Sequence, residues 1–298
     1  MNKTSNLENL IERHKFRVLG LTWSYVERIP LYHFHPGSIA LKVWVMGCPV
    51  DCEVCIESTV KMPIDVVDLK KIDTTILIDF LKRIRANILF FHGGETLLHW
   101  EWLKTIVREA KYKNIITGAK TSCTISEHIL RDASNVLDIL LVEIPLKIIE
   151  NCRLIKDNLE VLKDSKAHIE VVVLINSKIG NNVISKLTGT LEVLDSEIPI
   201  LIYPLLEYPY TTLTSLRRVI VSKKFKYVYI VDDPFYKFEN TYCPKCNKLL
   251  IERHKRFLRK CFIEDHTCPS CKYTINIKGK CKPARSKISL FLGEEPLL

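Results

Sequence analysis

Ile88-Leu89-Phe90-Phe91-His92-Gly93-Gly94-Glu95 is an apolar run that ends in two glycines and a carboxylate. Near-continuous runs of this kind, with Val171-Val172-Val173-Leu174-Ile175 as a second example, read as strands buried on both faces. Such strands belong to a parallel sheet covered by helices. Outward from these two, short β-rich runs fall at 39–46, 87–92, 114–121, 137–144, 168–176, 199–205 and 226–232. Helical patterns lie between them. Ile76, Leu77, Phe80, Leu81 and Ile84 share one face, as do Ile148, Cys152, Ile155, Leu159 and Leu162. Ser126 stands where an N-cap is expected for a helix containing Ile129 and Leu130. The alternation predicts an α/β fold of repeated βα units, an open sheet or a partial (β/α) barrel. Chemistry in such folds sits in loops at the carboxyl ends of the strands.

The chain has 298 residues, 47% hydrophobic and 26% charged, an ordinary composition for a globular protein. That length buries enough apolar surface to fold without covalent staples. The amino-terminal residues lack the apolar run of a signal peptide, and no stretch reaches the roughly 18 apolar residues of a membrane span. A cytoplasmic location without membrane partners is expected. In that compartment the eleven cysteines are not expected to form disulfides. Seven of them fall into two spaced groups and Cys123, Cys152, Cys261 and Cys281 stand apart, so two metal sites are expected.

The first group is Cys48, Cys52 and Cys55, spaced C-x3-C-x2-C directly after the first strand. Three thiolates can bind three irons of a cubane that normally takes four cysteines, leaving one iron open. A zinc knuckle with a distant fourth ligand is the other reading, although structural zinc usually takes four protein ligands. One βα unit later comes Gly93-Gly94-Glu95, where absent side chains allow close approach to the backbone at a strand end.

This pairing of a three-cysteine loop with Gly-Gly-Glu resembles the radical S-adenosylmethionine superfamily. The resemblance implies that Cys48, Cys52 and Cys55 hold a 4Fe-4S cluster and that S-adenosylmethionine chelates its open iron. Gly93, Gly94 and Glu95 would line the place where the methionine amino group binds. It further implies a partial βα barrel, an external electron donor and cleavage of the cofactor to a 5′-deoxyadenosyl radical that abstracts hydrogen. Val54 stands where the superfamily usually has an aromatic residue, and Thr96 where proline often follows. Pro30-Leu31-Tyr32-His33-Phe34-His35-Pro36-Gly37-Ser38, Tyr227-Val228-Tyr229-Ile230 and Glu239-Asn240-Thr241-Tyr242-Cys243-Pro244-Lys245-Cys246 narrow the likeness. They resemble the radical enzymes of the AmmeMemoRadiSam system, a group similar to the pyruvate formate-lyase activating enzymes. The Asp-x-Lys of those activating enzymes corresponds here to Glu143-Ile144-Pro145-Leu146-Lys147. His33 and His35 read as members of an extended packing segment, and His92 as a buried, hydrogen-bonded histidine beside the cofactor loop.

The second group, Cys243, Cys246, Cys268 and Cys271, forms two C-x2-C knuckles with hairpin sequence between them. Zinc in a ribbon is the expectation, with a second iron–sulfur cluster as the alternative. The expected organisation is a lead-in over 1–36, a radical core over 37–238 and a small metal-binding tail over 239–298. From Thr241 onward thirteen Lys and Arg face five Asp and Glu, most of the whole chain's surplus of +10. A basic tail attracts anionic partners, nucleic acid among them. The sequence therefore predicts a radical enzyme that abstracts hydrogen, with a protein as one class of substrate. RNA modification is its rival, and a non-enzymatic metal-binding adaptor the alternative of another class. No catalytic residue is singled out.

Overall fold

The structure, a computed structural model, describes residues 17–52, 55, 70–175, 180–282 and 295–296. Its strands begin with β1 (Arg17–Val18), β2 (Gly20–Tyr25), β3 (Ile39–Val45), β4 (Lys70–Lys71), β5 (Ile88–Gly93), β6 (Ile116–Thr121) and β7 (Ile139–Pro145). They continue with β8 (His168–Ile175), β9 (Ile200–Pro204), β10 (Val228–Ile230), β11 (Thr241–Tyr242), β12 (Leu249–Arg253), β13 (Leu258–Cys261) and β14 (Glu295–Pro296). The main sheet has nine strands in the order β10-β9-β8-β7-β6-β5-β3-β2-β14. From β3 to β10 every pairing is parallel, while β2 and β14 extend the β3 edge antiparallel. All seven sequence-predicted strands are present. The antiparallel β2 falls within the expected lead-in, whose residues 1–16 lie outside the described set.

Helices α1 (Thr74–Arg83), α2 (Trp100–Tyr112), α3 (Glu127–Val136), α4 (Cys152–Val161), α5 (Asn181–Leu191) and α6 (Tyr210–Lys223) follow strands in turn. Asp73 caps α1 by accepting a hydrogen bond from the Ile76 amide at 2.9 Å. Ser126 occupies the cap position of α3, as expected, but its hydroxyl makes no cap bond.

Strand alternation sorts the core into two layers. Leu41, Val43, Leu89, Phe91, Leu140, Val142, Val171 and Val173 pack with helix residues such as Leu77, Trp100, Leu103 and Leu159. Among the described residues, the opposite residues of the same strands, Ala40, Ile88, Phe90, Ile139, Leu141 and Val172, do not pack with the six helices. They meet Ile29, Leu31, Tyr32 and Phe34 from the segment before β3, and Leu250, Ile251, Leu258 and Ile275 from the carboxyl-terminal residues. The apolar runs are thus buried on both sides, as expected, with helices on one face and, among the described residues, the lead-in and the cysteine-rich tail on the other. Among the described residues, no helix is long and apolar enough to cross a membrane.

Candidate functional site

β3 stops at Val45, and Gly47, in a left-handed conformation (φ 88°), turns the chain into the cysteine loop. Cys48, Cys52 and Cys55 are half-buried and outside the Cys261–Cys281 disulfide. Glu53 and Val54 lie outside the described residues. The loop lies directly against the end of β5. The Gly94 amide donates to the Val45 carbonyl at 3.3 Å and the Glu95 amide to the Gly47 carbonyl at 2.9 Å. Gly93 has φ 112°, and a Cβ there would stand 2.2 Å from the Val45 oxygen. A Cβ on Gly94 would stand 2.0 Å from the Gly47 oxygen and 3.2 Å from Cys48 Cβ. The close approach that requires these two glycines is thus the approach of the cysteine loop itself.

Glu95 is buried and its carboxylate is shared between two strand ends. Oε1 accepts from the Leu97 amide at 3.2 Å, and Oε2 accepts from the Ser122 amide and hydroxyl at 2.7 Å each and from Thr121 Oγ1 at 3.1 Å. Burial pushes its carboxyl above the ordinary range, while the Ser122 and Thr121 donors pull the other way. Thr96 Oγ1 donates to the Lys120 carbonyl at 2.5 Å. Gly-Gly-Glu-Thr therefore locks β5 to the cysteine loop on one side and to the end of β6 on the other. Threonine makes a hydrogen bond that the more usual proline could not.

The strand face opposite the helices changes character toward the carboxyl ends. Above Phe90, Leu141 and Val172 stand Trp44, His92, Lys120, Glu143 and Tyr203, on alternate positions of five strands. Lys120 Nζ and a Glu143 carboxylate oxygen are 3.0 Å apart, at 7% and 10% side-chain exposure. The His92 ring packs 4.8 Å from that of Trp44, and His92 Nδ1 accepts from the Gly93 amide at 3.0 Å. Burial pushes the Cys48 thiol up to about 11, Glu95 adds to that, and Lys120 opposes it, so both groups act on the first cysteine. A thiol held protonated by burial becomes a thiolate when a metal ligates it. Lys120 and Trp44 were not singled out from sequence. The signal was their place near the carboxyl end of a strand, on the same face as Ala40 in β3 and Ile116 in β6.

His33 is buried, with Nε2 2.6 Å from the Tyr229 hydroxyl and Nδ1 2.7 Å from the Asn276 carbonyl. It serves packing, as the sequence suggested, and burial lowers its pKa to about 4. His35 holds the left-handed turn before Pro36 (φ 47°).

The second cysteine group comes together. All four ribbon sulfurs lie within 4.8 Å of one another, with Cys243 Sγ 3.5 Å from Cys271 Sγ and Cys246 Sγ 3.6 Å from Cys268 Sγ. Zinc–sulfur bonds of 2.3 Å in a tetrahedron set edges of about 3.8 Å. The two knuckles share one geometry: the amides of Asn247 and Lys272 donate back to the carbonyls of Cys243 and Cys268, each from a left-handed residue. β11, β12 and β13 form the small sheet beside them. Cys261 and Cys281, left outside both groups by the sequence reading, are joined as a disulfide. The tail folds back so that their Cα atoms stand 6.3 Å apart, which corrects the expectation of no disulfides.

Residues 36–160 match the sequence family described as the 4Fe-4S single cluster domain. The match spans the cysteine loop and the Gly-Gly-Glu that packs on it. Over these residues the chain is similar to that 4Fe-4S family. A 4Fe-4S cluster is the group that the family's description names. The chain is 24% identical over 270 residues to the uncharacterized protein MJ0808 of Methanocaldococcus jannaschii, covering 80% of this chain and 77% of that one. Among solved structures, QueE from Escherichia coli is similar with a TM-score of 0.47 and 12% identity, over 77% of this chain and 98% of QueE. Streptococcus suis SuiB, solved with its precursor peptide SuiA, is similar with a TM-score of 0.42 and 12% identity, over 65% of this chain and 47% of SuiB. The cysteines stand where an open α/β sheet presents its chemistry, at the carboxyl end of the first parallel strand.

Proposed function

We propose that this protein is a radical S-adenosylmethionine enzyme that abstracts hydrogen from its substrate. The observation that carries the reading is the seating of Cys48, with Cys52 and Cys55 beyond it, on the Gly93-Gly94-Glu95 strand end. Three half-buried thiols fit three irons of a cubane and leave the fourth iron for the cofactor. The reduced cluster would supply the electron that cleaves the bound sulfonium and yields a deoxyadenosyl radical. This chain's residues position that event. Glu95 fixes the loop through Ser122 and Thr121, and the Lys120–Glu143 pair places a buried charge couple beside the first cysteine. The four ribbon thiols suit zinc, whose role would be to hold the tail onto the sheet. An external electron donor is required, and a protein substrate, as for activating enzymes, is the substrate class we favour.

The test is reconstitution under anaerobic conditions followed by reduction with dithionite in the presence of S-adenosylmethionine. Release of 5′-deoxyadenosine, absent in Cys52→Ala, supports the enzyme reading. A protein that binds iron but never releases the nucleoside is the adaptor instead. One observation favours RNA as the target: Lys245, Lys248, Arg259, Lys260, Lys280 and Lys282 are all exposed on the ribbon.

A further inference from the structure

The ribbon reaches into the polar row at the carboxyl ends of the strands. His254 and Phe257 close the β12–β13 turn by exchanging backbone hydrogen bonds of 3.0 and 3.1 Å. Arg256, left-handed at φ 58°, projects from that turn toward β9. Its Nη1 donates to the Tyr203 hydroxyl at 3.1 Å, and its Nε to Asp232 Oδ1 at 3.0 Å. Nη2 makes no hydrogen bond to a described residue, so one edge of the guanidinium fork remains to be used. The side chain is only 19% exposed, which fixes it in this place.

Tyr203 stands on the same strand face as Glu143, and its phenol feels Arg256, Asp232, Glu143 and Arg28. Two of these charges are acidic, and each has a cation against it: Glu143 pairs with Lys120, and Asp232 with Arg256. Arg28 makes no ion pair to a described residue. Its Nε is buried without a hydrogen-bond partner, and its guanidinium sits 5.6 Å over the Phe257 ring of the same turn. Polar side chains thus stand at the carboxyl ends of the strands from Lys120 and Glu143 to Tyr203 and Arg256, with Val172 and Leu174 of β8 between Glu143 and Tyr203, and the far end carries an unused Arg edge.

We propose that Tyr203 and Arg256, with Arg28 beside them, form a subsite for an oxyanion of the substrate, a carboxylate or a phosphate. A half-used guanidinium oriented by a phenol is suited to two-pronged recognition of such a group. Because Arg256 is carried by the ribbon, the tail is part of the substrate site as well as a cover for the sheet. The assignment of the anion to a substrate rests on the radical-enzyme reading; the anion site itself does not.

Isothermal titration of the full-length, cluster- and zinc-loaded protein with inorganic phosphate, and separately with acetate, at fixed ionic strength tests the subsite. One saturable site is expected for one of the two anions, and which one saturates names the group. Arg256→Ala should weaken it about tenfold or more, since a charge-assisted pair is lost, and Tyr203→Phe about threefold. Bound zinc and the circular dichroism spectrum report whether each variant is folded. Absence of saturable binding to either anion, or equal binding by a folded Arg256→Ala, overturns the proposal. Nucleoside release by the wild type is assayed in parallel. Its absence alongside intact anion binding would count against the radical reading and leave the subsite standing.

Discussion

Arg253 of the ribbon donates Nη2 to the Tyr32 carbonyl at 2.5 Å and lies 4.4 Å above the Tyr32 ring, although the two residues are 221 positions apart. Nη1 donates to the Glu239 carbonyl at 3.1 Å and to Thr241 Oγ1 at 2.8 Å. The side chain is 1% exposed, and the buried carboxyls of Glu27, Glu170 and Glu239 are its electrostatic neighbours or lie one side chain away. Removing a buried cation leaves such acids uncompensated, which costs about 3–5 kcal/mol. Arg253→Met should therefore lose roughly that much in urea unfolding, although it fills the same volume. A loss under about 1 kcal/mol would mean the guanidinium is not the junction's counter-charge.

Two of those acids make the junction sensitive to pH. Burial raises both Glu27 and Glu239 to about 7, against 4.5 in an exposed chain, with Arg253 pulling each back. A raised folded pKa means the native state holds the proton more tightly. The stabilisation is then present in full below pH 4.5 and is lost as pH rises through 7. His33 acts with the opposite sign, since burial depresses it to about 4 and its contribution grows as pH rises toward 6.5. The Glu27 contribution is isolated by difference. The stability of wild type minus that of Glu27→Gln should fall from pH 4.5 to 7 and level off above. A difference that is flat across that window removes Glu27 as a titrating group.

Gly94 and Gly189 should respond to alanine in opposite directions. At Gly94 the new methyl would meet the Gly47 carbonyl at 2.0 Å, and backbone cannot yield as a flexible side chain can. Gly94→Ala should displace the cysteine loop, lowering iron content after reconstitution while zinc stays bound. Gly189 lies within α5 with nothing within 4 Å of its Cβ position, so alanine there should stabilise by about 0.5–1 kcal/mol through helix propensity. Iron-to-zinc ratios and urea midpoints measure the two outcomes.

The parallel strands were legible because burial on both faces leaves continuous apolar runs, and ILFF and VVVLI lie in β5 and β8. What buries the second face was not legible. The residues doing so, Ile29 to Phe34 and Leu250 to Ile277, are separated by most of the chain, and no local period encodes their meeting. The same holds for the site. Cys48 and Gly93-Gly94-Glu95 were visible as motifs, and so were the four ribbon thiols. Lys120, Tyr203 and Arg256 were not, because each is an unremarkable polar residue until strand register and the ribbon turn bring it to one face. Cys261 and Cys281 escaped for a similar reason: pairing depends on a fold-back that spacing does not reveal.

Since Cys243 and Cys268 belong to the core that Phe90 and Leu141 share, the ribbon metal should stabilise more than the ribbon. Cys246→Ala removes one ligand of four and should release zinc. The whole chain, and not a detached tail, should then unfold at lower urea, in one transition. Tryptophan emission is the readout, because two of the four tryptophans, Trp100 and Trp102, lie on the helix side of the sheet while Trp44 lies on the other face, so one transition reports both. A midpoint unchanged in a zinc-free protein would show that the two parts fold independently.

The exposed cations of the ribbon give the RNA reading its sharpest test. Lys245, Lys248, Arg259, Lys260, Lys280 and Lys282 are exposed, while Lys260 pairs with Glu252 at 3.2 Å and Lys272 with Glu264 at 3.3 Å. Surface pairs of this kind are weak, so nearly all of this charge is open to a phosphate backbone. Contact between about five of these cations and a single strand would give a slope near −3.5 in the logarithm of affinity against that of salt. A short single-stranded RNA, followed by fluorescence anisotropy between 50 and 300 mM KCl, should show that slope with the wild type. Lys245→Glu with Lys248→Glu should flatten it by removing two contacts. Lys245 stands inside the first knuckle and the Lys248 carbonyl accepts from the Cys243 amide at 2.9 Å, so bound zinc is measured in the variant; a loss of binding with zinc retained is a loss of charge. If the wild type binds no RNA even at 50 mM KCl, the basic tail serves another partner, and the protein-directed reading remains.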